Sequence, residues 1–137
     1  MSGDESLENT LVAAARGAAA HAYCPYSKFA VGAAVAWSDG TITAGCNVEN
    51  AAWSPSVCAE RNAIQHGVAL GQRALARVVV YTPTPRPTTP CGVCLQVIRE
   101  FGPNATIACV CDGSERIEGP LEDFLPRSFG PDALASE

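Results

Sequence analysis

Two short stretches hold most of the residues able to do chemistry: Cys58-Ala59-Glu60-Arg61 and Pro90-Cys91-Gly92-Val93-Cys94. Each falls where a loop pattern gives way to a helical one. A cysteine at a helix N-terminus has its thiolate favoured by the exposed backbone donors and the positive end of the dipole. Two intervening residues put the sulfurs of Cys91 and Cys94 on one face of a turn, close enough to share an ion. Cys58, separated from Cys91 by thirty-two residues, would bring a third sulfur across the fold. Soft thiolate donors in this number select zinc, one ion per chain, ahead of iron. Three protein ligands leave one tetrahedral position open, which is the mark of a catalytic zinc and not of a closed structural one. Water in that position is easier to deprotonate, so the chemistry indicated is metal-assisted hydrolysis.

Glu60 stands two residues after Cys58, where it can face the same pocket from the first helical turn without binding the metal. That makes it the candidate general acid and base. Three thiolates on a divalent ion leave a net charge of about −1, which opposes deprotonation of a bound water. Arg61 is placed to offset it, with its guanidinium hydrogen-bonded to thiolate sulfur. The two histidines are not expected at the ion: His66 lies two turns beyond Cys58, and His21 closes the first helix as a surface or packing residue.

The elements that must position these groups follow from periodicity. An Ala- and Leu-rich stretch from about Ser6 to Ala22 reads as a helix started by Ser6 or Asn9 and stopped by Cys24-Pro25-Tyr26-Ser27. Phe29 to Trp37 and Thr41 to Val48 flank a Ser-Asp-Gly turn and read as a β-hairpin. Cys58 to about Leu70 is helical, ending at Gly71, and Leu75 to Tyr81 is a buried strand around Val78-Val79-Val80. Thr82 to Pro90 carries four prolines in nine residues, which excludes a helix and a central strand. Cys91 to Phe101 is helical, Thr106 to Cys111 a short strand, and Leu121 to Leu125 a short helix. Strands alternating with helices indicate a layered α/β domain.

A length of 137 residues suits one domain, and an apolar fraction of 47% supplies a core without disulfide staples. Seven cysteines, an odd number, with no export signal fit a reducing, cytoplasmic setting. Cys24, Cys46, Cys109 and Cys111 are then expected as buried or half-buried thiols. No stretch is long and apolar enough for a membrane helix, and the acidic N-terminus is unlike a signal peptide. Fourteen acidic against nine basic residues, a net charge of −5, argue against a nucleic-acid partner and for a small ligand.

The combination of Cys-x-Glu with Pro-Cys-x-x-Cys is the all-cysteine form of the zinc deaminase signature. The chain resembles the small, homotetrameric cytidine deaminase family over nearly its whole length. The likeness is carried by Ala22 to Phe29, Val31 to Ala34, Gly45 to Ala51, Cys58 to Arg61, Pro90 to Cys94 and Leu125 to Gly130. It implies a three-layer α/β/α domain over residues 1–137 with a central mixed sheet of about five strands, and a flexible or subunit-contacting tail from about 130 to 137. It implies hydrolytic deamination of cytidine and 2'-deoxycytidine in pyrimidine salvage, in a homotetramer. It also implies that Phe29 packs against the pyrimidine and that Asn47 and Glu49 bond the ribose hydroxyls. The backbone N–H of Ala59 would meet the pyrimidine carbonyl, the backbone carbonyl of Thr89 would accept from the amino group, and Phe129 of a neighbouring subunit would close the pocket, although the residues alone read Phe129 as a core or interface aromatic. An amide and a carboxylate two apart on a strand share one face, as a sugar edge requires, although the same pair could cap a turn.

The sequence departs from the family pattern at Leu95, where Arg is usual, at Trp53, where Tyr is usual, at Asn62, where Thr is common, and in the proline-rich 81–90 stretch. A modified or antibiotic cytosine nucleoside is therefore a competing substrate. A non-catalytic zinc module that binds a partner is a competing class, opposed by Glu60 and the open fourth position.

Overall fold

The computed structural model describes residues 3–135. In chain order the elements are α1 (Gly3–Ala19), β1 (Gly32–Trp37), β2 (Ile42–Cys46), α2 (Ala59–Ala69), β3 (Leu75–Tyr81), α3 (Gly92–Phe101), β4 (Thr106–Val110), β5 (Ile117–Pro120) and α4 (Leu121–Phe124), followed by a 3-10 turn at Pro131–Leu134. The five strands form one mixed sheet in the order β2-β1-β3-β4-β5. Only β3 and β4 run parallel, joined by the crossover through α3; the other neighbours are antiparallel.

The sheet divides the core into two layers by the period-two rule of strands. Ala34, Ala36, Val79, Tyr81, Ala108 and Val110 face α1 and meet Leu11, Ala15 and Ala19. On the opposite face Ala33, Val35, Val78, Val80 and Ile107 meet Ala63 and Ile64 of α2 and Leu95 and Ile98 of α3. The architecture is thus three layers with helices on both faces, as the resemblance implied. The central strands are apolar on both faces because both are covered.

Boundaries differ from the periodicity reading where tertiary contacts intervene. Helix α1 begins at Gly3, ahead of Ser6, with Asp4 and Glu5 placed in a first turn whose positive end favours acidic groups. It ends at Ala19, before Ala22, because the chain straightens so that Tyr23 can bridge to Val48. Periodicity does not reveal strand β5: four residues with a half-exposed, Gly- and Pro-containing pattern carry little signal. Of the expected tail, residues 136 and 137 lie outside the described residues. Among the described residues no helix is long and apolar enough to cross a membrane.

Helix α2, which begins at the chemistry-bearing stretch, is pinned to the hairpin by a short polar chain in the core. Trp37 Nε1 donates to Thr43 Oγ1 at 3.0 Å, and that hydroxyl donates to the carbonyl of Ala63 at 2.8 Å. Burying these groups is inexpensive only because each has a partner. Gly67 lets the helix lie directly on the Trp37 ring, since a Cβ there would come within 2.3 Å of it.

Candidate active site

Cys58 and Cys91 occupy equivalent places, each the extended residue immediately before a helix, with ψ of 157° and 166°. Neither side chain caps its own helix. Thiols are poor caps, so both sulfurs are free to turn toward the point where the two helix N-termini converge. Cys94, in the first turn of α3, adds the third. The separations are 3.9 Å for Cys58 Sγ to Cys91 Sγ and 3.5 Å for Cys91 Sγ to Cys94 Sγ, and all three sulfurs lie within 4.8 Å of one another. No other group of three or more metal-ligating side chains comes together among the described residues.

The electrostatics of the trio fit a cation. The hydrogen bond from Cys94, helped by those from Arg61 and Cys91, holds the Cys58 thiol down at about 5 against burial. The same coupling, with burial, pushes the Cys94 thiol upward. Three thiols this close cannot all ionise without a cation among them. Arg61 Nη2 lies 3.5 Å from Cys58 Sγ. Its Nε is buried and has no protein partner among the described residues. Three converging soft donors, two helix N-termini and a guanidinium alongside suit zinc.

Glu60 is 4% exposed yet opens onto a cavity of about 250 Å³. Burial, reinforced by the negative charge of Cys58, pushes its carboxyl up to about 7, with Arg61 opposing. A carboxyl in that range can both take and give a proton near neutrality. Cys109 of β4 is fully buried, and burial with the charge of Glu60 pushes its thiol up to about 12. It remains a neutral packing residue; Cys111 is also buried, and Cys24 and Cys46 are half-buried.

The cavity is lined by Cys58, Ala59, Glu60 and Cys91 together with Phe29, Asn47, Glu49 and Thr89. Asn47 and Glu49 lie beyond the end of β2, where Val48 bridges both Tyr23 and Val57 and keeps the chain extended. Both residues also brace the loop that carries Phe29. Asn47 Oδ1 accepts from the N–H of Val31 at 2.9 Å and its Nδ2 donates to the carbonyl of Phe29 at 2.8 Å. Glu49 Oε1 accepts from the N–H groups of Tyr26 and Ser27 at 3.0 and 3.1 Å. Hydrogen bonds from Ser27 head the causes that lower its carboxyl, so Glu49 is a carboxylate. Both side chains therefore hold backbone of the 26–31 loop and also line the cavity.

Ser27, Val31, Val80 and Thr88 also line the cavity, and sequence reasoning does not single them out. Val80 is the one with a usable signal, because it shares a sheet face with Val78 beneath α2. Phe129 does not line this cavity and is 58% exposed. Trp53 is also outside it, 73% exposed, with its ring tilted at 46° to that of Tyr26 at a centroid distance of 6.0 Å. Leu95, where the family usually has Arg, is buried in the core beneath α3. His66 is exposed, with Nδ1 3.5 Å from the carbonyl of Ala44.

Comparison with known proteins bears on what this arrangement is. Residues 5–110 match the cytidine and deoxycytidylate deaminase zinc-binding region. The chain belongs to the cytidine deaminase family. Among its relatives in that family, the cytidine deaminase of Sporosarcina psychrophila is 40% identical over 132 residues, covering 93% of this chain and 90% of that one. The cytidine deaminase of Mycobacterium tuberculosis H37Rv is 38% identical over 135 residues, covering 94% of each. The crystal structure of the Burkholderia pseudomallei cytidine deaminase superposes with a TM-score of 0.84 at 37% identity, covering 94% of this chain and all of that one. Membership in the cytidine deaminase family makes the chain a zinc-dependent hydrolase.

Proposed function

We propose that the chain converts cytidine and 2'-deoxycytidine to uridine and 2'-deoxyuridine by hydrolysis, with Cys58, Cys91 and Cys94 holding the zinc ion. The observation that carries this reading is the mixed lining of one cavity. A buried, proton-competent carboxyl and two of the three converging thiols line it together with an Asn–Glu pair and an aromatic ring. A cytosine ring needs the first set and a ribose the second. Zinc, when bound, supplies a Lewis acid that eases deprotonation of a water molecule.

Glu60 takes a proton from the attacking water and delivers it to the ring nitrogen next to the carbon that bears the amino group. Once the water oxygen has bonded to that carbon, Glu60 takes the proton of the added hydroxyl and passes it to the amino group; the carbon–nitrogen bond breaks, ammonia leaves and the carbonyl of the uracil forms. The N–H of Ala59, at the start of α2, holds the pyrimidine carbonyl, and the carbonyl of Thr89 accepts from the amino group until it departs. Phe29 packs on the ring. With Glu49 Oε1 and Asn47 Oδ1 already engaged by the loop, Glu49 Oε2 and the second Asn47 N–H remain as an acceptor and a donor for the sugar hydroxyls. Arg61 steadies the charge of the sulfurs. Exposure of Phe129 outside its own chain's cavity supports its use by a neighbouring subunit in a homotetramer. Residues 1–137 act as one catalytic domain, with the tail from about 130 at a subunit contact, in cytoplasmic pyrimidine salvage.

Ultraviolet absorbance of cytidine and 2'-deoxycytidine, followed with the purified protein with and without a strong chelator, tests the reading. Conversion to the uracil nucleosides that chelation abolishes is expected. Full zinc occupancy with no turnover of either nucleoside would overturn it and move the assignment to a modified cytosine nucleoside.

A further inference from the structure

The segment that ends in Phe129 and Gly130 is fastened to α3 in a way that packing alone does not require. Arg99 Nε donates to Ser128 Oγ at 3.1 Å, and its Nη2 donates to Asp132 Oδ1 at 2.8 Å. The guanidinium therefore grips the residue before Phe129 and the start of the 3-10 turn after it. One turn earlier on the same helix face, Gln96 Nε2 donates to the carbonyl of Phe129 itself at 2.9 Å. Gly130 is buried against this clamp, and a Cβ on it would lie 2.6 Å from Arg99 Cζ. Arg127, just upstream, is held at a φ of 54°, a conformation uncommon for a residue with a side chain.

Three hydrogen bonds, with Gly130 packed against the guanidinium, hold the backbone on both sides of one residue. That residue is a large aromatic ring left 58% exposed. The usual fate of a well-anchored Phe is burial, and this one is anchored so that it projects. Helix α3 also carries Cys94 in its first turn and Cys91 just before it, so the clamp ties the ring to the helix that positions two of the three sulfurs.

We propose that Arg99 and Gln96 are positioning residues that hold Phe129 in place to complete the nucleoside pocket of a second copy of this chain. The inference rests on the reading of Phe129 as an aromatic supplied in trans. A ring donated across a subunit boundary contributes most if its backbone is set before the copies meet, because the entropy lost in ordering a loose segment offsets the attraction of the ring for its ligand.

The test is steady-state kinetics on cytidine with Phe129→Ala, Arg99→Gln and the double variant, each checked for zinc content and melting temperature. Loss of an aromatic contact made equally in ground and transition states raises KM by about tenfold and leaves kcat close to the parent value. Phe129→Ala is expected to do this, Arg99→Gln to raise KM in the same sense, and the double variant to add nothing to Phe129→Ala. In mixed oligomers with a Glu60→Gln chain, which has an intact clamp but no turnover of its own, the Arg99→Gln chain should regain part of its substrate affinity. An unchanged KM in Phe129→Ala would overturn the reading of Phe129. A raised KM there, with Arg99→Gln unchanged or with the two effects additive, would overturn the clamp alone. Should Arg99→Gln fail to fold, Gln96→Ala removes the bond to the Phe129 carbonyl with the Arg99–Asp132 ion pair left in place, and the same two outcomes decide.

Discussion

Gly45 gives the sharpest link between packing and chemistry. It lies near the end of β2, directly under α2, and a Cβ on it would meet the backbone nitrogen of Ala63 at 2.5 Å and the Asn62 carbonyl carbon at 2.9 Å. Ordinary contact begins at 3.4 Å, so the shortfall is about 0.9 Å, and it is against backbone that no rotamer change relieves. In Gly45→Ala the helix must lift or the strand must bend, and the 2.8 Å hydrogen bond from Asn62 Nδ2 to the Cys46 carbonyl stretches with it. Overpacking of this kind costs roughly 1–3 kcal/mol. Alanine also restricts the unfolded chain, which favours folding by about 0.4–1 kcal/mol, so the overlap decides the sign. At this chain length the melting temperature should fall by roughly 3–10 °C. The larger effect should be on rate. Helix α2 moves as a rod, and Cys58, Ala59 and Glu60 sit at its N-terminus; a displacement near 1 Å costs on the order of a hundredfold in turnover. Differential scanning calorimetry and the cytidine absorbance assay measure the two effects. A variant with parental melting temperature and parental kcat would refute the idea that close approach of β2 and α2 sets the site.

Glu60→Gln should keep the fold and bind zinc at one per chain, yet lose roughly 10²–10⁴-fold in kcat, the range for a general acid–base group; metal analysis beside kinetics checks it. Cys91→Ala should lose zinc and lower the melting temperature, because a metal bound only in the folded state contributes its binding free energy to folding; thermal melts with and without added zinc measure this. The charged ring of Glu8, Arg77, Glu118 and Arg116, which ties α1 to β3 and β5, should show itself in acid. Burial raises the Glu8 carboxyl, but the hydrogen bonds and charges of Arg77 and Arg116 outweigh it and hold the group below its ordinary value of 4.5. A depressed carboxylate stabilises the fold above its unfolded value and loses that contribution as pH falls through the folded one. Melting temperature should therefore drop more steeply below about pH 4.5 in the parent than in Glu8→Gln, and parallel curves would contradict the assignment.

The thiol trio is legible in the sequence because its signal is local: each motif combines a break, a cysteine and a helix start, and helix geometry does the rest. Central strands β1 and β3 are legible for a similar reason, since residues covered on both faces are apolar without interruption. Strand β5 is not, because its pairing with β4 is imposed by the sheet and not by its own residues. The placement of Asn47 and Glu49 is half legible. Their spacing indicates a shared face, but the hydrogen bonds to residues 26–31 depend on a loop whose path no periodicity describes. Trp53 and Leu95 stand out in sequence as departures from the family pattern. The fold places one on the surface against Tyr26 and the other in the core, clear of the cavity wall.

Glu60 shows why these levels must agree. Its elevated carboxyl is due first to burial and only second to the charge of Cys58. Burial comes from its position under the sheet-packed start of α2, and it persists whatever cation joins the sulfurs. A divalent ion among three thiolates leaves the cluster at about −1, which keeps the second cause in the same direction. The raised carboxyl is thus built into the packing of α2 against β1 and β2, with Arg61 as the counterweight. The close approach at Gly45, the Trp37–Thr43–Ala63 chain and the chemistry at Glu60 are successive consequences of one helix docking.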